Sequence, residues 1–266
     1  MSPATATVTF TEHAVDAAGF TVRYWEAGEG TPLVYLHPAG GPHWRPVHQQ
    51  LAEQYRVIQF EMPGWGDDAN DKASTLREQA ELMATVIAAL GVDSYHLMGT
   101  SLGGAVAVNL ATLFPDRIIS LVLDAPAAFR DGSTPPNQLT PEQAQRAFRT
   151  HPEREPHFEM APPEAMARFW PFVEKLMGTP DDTLVDRMRS CGVRTLVLFG
   201  TEDGIIAPHN GRTYRRHLSN SSLQYVFDAA HDAMGDRPEA FYAVVDDFLR
   251  RGMGFLVSDQ DTLINP

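Results

Sequence analysis

Gly99-Thr100-Ser101-Leu102-Gly103-Gly104 joins two stretches of different character, and its reading decides the fold. Residues 95–100 before it read as a buried strand, and residues 102–114 after it, rich in small side chains, read as a helix. A chain that passes from strand to helix within one residue turns so sharply that the serine takes a strained backbone. Glycines two residues to either side keep neighbouring backbone clear of that turn. This is the context of a nucleophile elbow. G-x-S-x-G also recurs by chance, and only its flanks separate the functional reading from the bland one.

Outward from this turn, strands and helices alternate. Residues 20–26, 33–37 and 55–61 are β-formers that end in turn chemistry, and Ser74 is placed to cap a helix running to residue 90. Residues 118–124 form a near-continuous apolar strand. After a gap the rhythm resumes with a strand at 194–200, a helix at 209–218, a strand at 222–228 and a helix at 238–250, the last opened by Pro238. Such alternation implies an α/β fold with a doubly wound, mostly parallel sheet.

Pro and charge become dense from residue 130 to 191, a stretch read as an inserted helical cap. The core then comprises residues 1–129 and 192–252, followed by a tail at 253–266. Within the insert, Thr140-Pro141-Glu142-Gln143 is a capping box with proline at the first helical position, and Thr179-Pro180-Asp181-Asp182 marks a second helix start. Between them Met166, Phe169, Trp170, Val173 and Met177 recur at helical spacing. Packing of cap on body is the readier reading of that stripe, and pocket lining the sharper one.

A serine hydroxyl is a poor nucleophile at neutral pH, so it needs a base within reach and a group that holds the base in one tautomer. Of ten histidines, His231 alone combines a loop just past a predicted strand with the right chain order. Asp203, in Gly200-Thr201-Glu202-Asp203, follows the preceding strand directly and is the leading acid. Asp124, also at a strand end, is its rival, and Glu202 is a bystander. A developing oxyanion needs backbone N–H donors. Leu102 supplies one, and the turn His37-Pro38-Ala39-Gly40-Gly41 the other, through Ala39 or Gly40, since Pro38 has no N–H.

Composition excludes other classes. A formal charge of -13 opposes binding to nucleic acid or anionic membrane surfaces. Asp67-Asp68-Ala69-Asn70-Asp71 fails as a calcium loop, because Ala69 falls at a ligand position and Lys72 where glycine is needed. His151 and His157 lack zinc spacing, and no phosphate-cradling glycine motif follows a strand. The single Cys191 and an N-terminal stretch without a secretory pattern point to a cytoplasmic setting. Hydrophobic residues at 43% and charged residues at 21% suit one globular domain.

Residues 36–41, Glu61-Met62-Pro63-Gly64-Trp65-Gly66, the elbow, residues 199–208 and residues 229–231 together resemble the α/β-hydrolase family, in the family's order. The resemblance covers residues 22–249 apart from the insert, and Pro38 departs from it where these proteins usually carry glycine. It implies a cap over the pocket, no cofactor and hydrolysis through an acyl-enzyme. Ser101 sets the chain apart from epoxide hydrolase and dehalogenase relatives, which use aspartate there.

The expected substrate is a small, partly apolar ester, met by His37, Gly40, Phe148, Phe169 and Trp170, with Phe158 and Phe172 adding to the aromatic cap. For His37 a hydrogen bond inside the oxyanion loop is the readier role. C–C bond hydrolysis of vinylogous diketones is the enzymatic alternative, with perhydrolase activity behind it, and a non-catalytic ligand receptor is the alternative from another class. Phe255-Leu256-Val257 is read as docking on the body or on a second subunit.

Overall fold

The computed structural model describes residues 8–66, 69–134, 138–155 and 161–256. Phe158, His157, Asp67, Asp68 and the tail from Val257 onward lie outside the described residues.

The strands are β1 (Thr11–Ala17), β2 (Phe20–Ala27), β3 (Pro32–Leu36), β4 (Arg56–Phe60), β5 (Tyr95–Thr100), β6 (Ile118–Asp124), β7 (Thr195–Gly200) and β8 (Ser221–Val226). They form one sheet in the order β1-β2-β4-β3-β5-β6-β7-β8. β2 runs antiparallel to both β1 and β4, and the remaining neighbours are parallel.

The central parallel strands are rich in apolar residues pointing both ways because both faces are covered. Val34, Leu36, Leu97, Leu121, Leu123, Val197 and Phe199 point into one core, and Leu33, Tyr35, Met98, Val122, Leu196 and Leu198 into the other. Helices α2 (Leu76–Ala89) and α3 (Leu102–Leu113) cover the first face, and α1 (Pro46–Leu51) and α9 (Pro238–Arg251) the second. The alternation is the period-2 signature of a strand buried on both sides.

Local chemistry sets the ends. Thr75, one residue past the expected Ser74, caps α2 by accepting from Glu78 N at 3.1 Å, and Glu78 returns a carboxylate to Ser74 N at 2.7 Å. β1 was not expected: its TEHAVDA sequence is largely polar because it is an edge strand, paired with β2 alone among the described residues. The expected helix at 209–218 begins as a 3-10 turn, Pro208–Asn210, before α7 (Gly211–His217). A four-residue helix, α8 (Ala233–Asp236), precedes α9.

Between β6 and β7 the chain carries α4 (Pro141–Phe148), α5 (Pro163–Gly178) and α6 (Leu184–Ser190). The capping box at Thr140 forms as expected, with Thr140 Oγ1 accepting from Gln143 N and Gln143 returning its Oε1 to Thr140 N. The second helix start is displaced. Asp181 accepts from the backbone N–H and hydroxyl of Thr183 and from Arg187, which turns the chain before α6 begins. Leu184 and Met188, four residues apart, seat α6 in the core beside α3. Phe255 is buried and its ring lies 5.4 Å from that of Phe248 in α9, which docks the start of the tail on the body. Among the described residues no helix is long and apolar enough to cross a membrane.

Candidate active site

At the carboxyl end of β5, Ser101 adopts φ 53° and ψ -114°, a conformation that disfavours any side chain. A Cβ on Gly99 would meet Gly103 O at 2.4 Å, and one on Gly103 would meet Leu36 O at 2.1 Å, so both positions require glycine. Ser101 N donates to Asp124 O at 2.8 Å, and Ser101 O accepts from Ala127 N at 2.9 Å and from Ala105 N at 3.0 Å. The strain is held by the end of β6 on one side and the first turn of α3 on the other.

The loops after β7 and β8 open at the same sheet edge and are zipped together. Glu202 N donates to Ala229 O at 2.8 Å, and a Cβ on Gly200 would meet Ala230 O at 2.1 Å. This close seam brings His231 Nδ1 to 2.9 Å from Asp203 Oδ2. Asp203 Oδ1 accepts from the backbone N–H groups of Ile205 and Ile206, each at 2.9 Å. With both oxygens engaged as acceptors, the carboxylate assigns the proton to Nδ1 and leaves Nε2 with its lone pair. Burial pushes the His231 imidazole down, but Asp203 beside it, with Asp124 and Asp232 further off, raises it above its ordinary 6.5.

Asp124 sits beneath this pair. Its Oδ2 accepts from Thr100 Oγ1 at 3.0 Å, Thr100 in turn accepts from Tyr35 OH at 3.1 Å, and Oδ1 is buried without a partner. Burial raises its carboxyl from 3.8 to about 7, against the opposing pull of His231 and the Thr100 hydroxyl, while Asp232 and Asp203 add to the rise. The folded state therefore favours the protonated form, and the contribution of Asp124 to stability is present below pH 4 and lost as pH rises toward 7. A rise of this size is worth roughly 4 kcal/mol. Asp124→Asn is expected to gain thermal stability over the wild type as pH is raised from 5 to 8, in paired melts; a difference that stays flat across that range would contradict this.

The turn after β3 is braced from below. His37 is fully buried, accepts from Met62 N through Nε2 at 3.1 Å and donates from Nδ1 to Pro38 O at 2.7 Å; burial lowers its imidazole to about 3. Both nitrogens are engaged with the backbone, which braces the turn. Pro38 O also accepts from Gly41 N at 3.1 Å, and Trp65 Nε1 donates to Ala39 O at 2.8 Å. In a trans peptide the N–H points opposite to the C=O, so fixing Pro38 O turns the Ala39 N–H the other way, and fixing Ala39 O does the same for Gly40. Leu102 N–H opens α3, where helical amides have no intrahelical partner.

A cavity of about 410 Å³ lies beside this turn, between Gly40, Gly41, Trp65 and the α5 residues Ala165, Arg168 and Phe169. Of the residues expected to meet substrate, Gly40 and Phe169 line it. Phe148 stands elsewhere, with its ring 6.3 Å from that of His231. Trp170 does not face the cavity: one residue beyond Phe169, it is turned by about 100° around the helix, and its Nε1 donates to Glu174 on α5 itself at 3.1 Å. Phe169 and Phe172 pack on Trp65 at 5.8 and 5.7 Å, and of the stripe Phe169 and Val173 enter the core while Met166, Trp170 and Met177 pack against it. Arg45, Arg149 and Glu155, gathered around Asp232 behind the His231 loop, were not anticipated; isolated charges far apart in sequence carry no pattern.

A sheet of this order with a strained serine at the elbow and a histidine–carboxylate pair at neighbouring strand ends defines a class of α/β hydrolytic enzymes. The alpha/beta hydrolase family model matches residues 33–244, and the chain belongs to that family. It is 41% identical over 119 residues to the dihydrolipoyllysine-residue acetyltransferase component of the acetoin cleaving system of Pseudomonas putida, which covers 42% of this chain and 32% of that protein. The chain thus spans about a third of that relative's length. Over 275 residues it is 24% identical to the 2-hydroxy-6-oxo-6-phenylhexa-2,4-dienoate hydrolase of Comamonas testosteroni, covering 89% of this chain and 93% of that protein. The crystal structure of the enzyme of that name from a Rhodococcus species superposes with a TM-score of 0.78 at 21% identity, covering 92% of this chain and all of that one.

Proposed function

We propose that this protein is a hydrolase that cleaves a small carbonyl substrate through an acyl-enzyme. Ser101 Oγ attacks the carbonyl carbon as its proton passes to His231 Nε2. The imidazolium, held by Asp203, then protonates the leaving group, and a water deprotonated by His231 releases the acid and restores the serine. The N–H groups of Leu102 and Ala39 receive the oxyanion. The observation that carries this reading is the strained backbone of Ser101 on the sheet edge that holds the His231–Asp203 pair. Strain of about 1–3 kcal/mol persists only where the surroundings enforce it, and it gathers at reactive sites. Purified protein is expected to hydrolyse p-nitrophenyl acetate or butyrate and to gain a fluorophosphonate adduct on Ser101. Folded protein that does neither would be a binder.

A second reading, C–C bond hydrolysis of a vinylogous diketone acid, is favoured by the likeness to named relatives. The relatives that match over nearly their whole length bear names of this kind. Faster turnover of such a diketone than of esters, with a keto intermediate in stopped flow, selects this reading; ester preference selects the first.

A further inference from the structure

The last turn of α4 grips the loops that carry the proposed acid and base. The carbonyls that end a helix have no partner within it. Here Ala147 O accepts from Gly204 N at 3.2 Å and from His231 N at 3.4 Å, so one carbonyl of the insert spans the acid loop and the base loop. Phe148 O accepts from Asp232 N at 2.9 Å. The fit is close as well as polar, since a Cβ on Gly204 would meet Ala147 Cβ at 2.7 Å.

Arg149 locks this contact. It is 6% exposed, and its Nε donates to Asp232 Oδ2 at 2.5 Å while NH2 donates to Glu155 Oε2 at 2.7 Å. Arg45, from the loop before α1, bridges the same two oxygens at 2.8 Å each. Among the described residues two guanidinium groups face two carboxylates here, the pairing that buried charges need. Removing one member leaves the others uncompensated. From the far side, Asp236 Oδ2 accepts from Thr150 N at 2.9 Å and from Ala230 N at 2.8 Å, which fastens the residue before His231 to the residue after Arg149.

We infer that Arg149 is a positioning residue for the His231–Asp203 pair, acting through Asp232, and that α4 is a fixed wall of the site rather than a moving part of a lid. Displacing α4 withdraws a carbonyl that both loops share, so an α4 that lifted to admit substrate would loosen the hold on the pair. The inference rests on His231 being the base.

The test compares Arg149→Met, Arg149→Lys and Asp232→Asn in the full chain with p-nitrophenyl butyrate, together with the downfield proton resonance of the imidazole Nδ1–H. Misplacement of a reacting group by about 1 Å costs on the order of 10²-fold. Arg149→Met is expected to lose on the order of 10²-fold in kcat at unchanged KM, with the resonance broadened or shifted. Arg149→Lys, which keeps charge without the two-pronged reach, should recover part of the loss. Asp232→Asn keeps the shape and tests the same link should Arg149→Met fail to fold. Wild-type kcat and an unmoved resonance in Arg149→Lys and Asp232→Asn, while His231→Ala is inactive, would overturn the inference alone. An active His231→Ala would remove the reading on which it rests.

Discussion

Ser101→Ala is expected to lower kcat for a p-nitrophenyl ester by at least about 10⁴-fold, because the nucleophile, its base and its acid act as a unit and loss of the nucleophile costs nearly as much as loss of all three. The melting temperature should stay close to the wild-type value. Alanine and serine suffer alike at φ 53° and ψ -114°, where the penalty comes from Cβ rather than from the hydroxyl. Ser101→Gly separates the two effects. It removes the same nucleophile and also relieves the clash, so it should be equally inactive and melt above Ser101→Ala, although glycine's freedom in the unfolded chain offsets part of that gain. Turnover undiminished in Ser101→Ala would end the proposed mechanism. Equal melting of the two variants would show that the elbow stores no strain.

What could be read in advance follows from where the physical signal is local. β5 and β6 were expected at 95–100 and 118–124, and the structure gives Tyr95–Thr100 and Ile118–Asp124, because a strand buried on both faces leaves a continuous apolar run with sharp ends. The elbow was visible because Gly99 and Gly103 are demanded by backbone approach at fixed spacing. β1 was invisible for the opposite reason: Val15 and Ala17, half-buried on one side of this edge strand, are too few to declare it. Asp203 and Asp124 both stand at strand ends between Ser101 and His231 in the chain, and the geometry separates them by contacts no sequence displays. Asp203 holds His231 Nδ1 and two backbone amides, while Asp124 holds only Thr100 through one oxygen and keeps the other unpartnered. The Arg45–Asp232–Arg149–Glu155 cluster was beyond reach, since Arg45 and Asp232 stand 187 positions apart and look like ordinary surface charges.

Asp203→Asn is expected to lower kcat by about 10⁴-fold at neutral pH with little change in fold, and the reason lies in the two amides of Ile205 and Ile206. Both donate to Oδ1. An amide side chain in that place must turn its carbonyl oxygen toward them, because its NH₂ group cannot accept, and so must present the NH₂ to His231. The imidazole answers a donor only by giving up its proton at Nδ1, which moves that proton to Nε2, the nitrogen that should take the proton of Ser101. The base is then occupied where it needs to be empty. A second consequence has the same origin: Asp203 is the chief group raising the His231 imidazole against the effect of burial. His231 works as a base only when neutral, so wild-type kcat/KM falls as pH drops through its raised pKa. With the carboxylate gone that limb should move to lower pH, in a profile of much reduced height. Asp124→Asn, which touches neither nitrogen of the ring, should keep kcat within about tenfold of wild type. Full activity in Asp203→Asn together with collapse in Asp124→Asn would transfer the role of the acid to β6 and refute the arrangement proposed above.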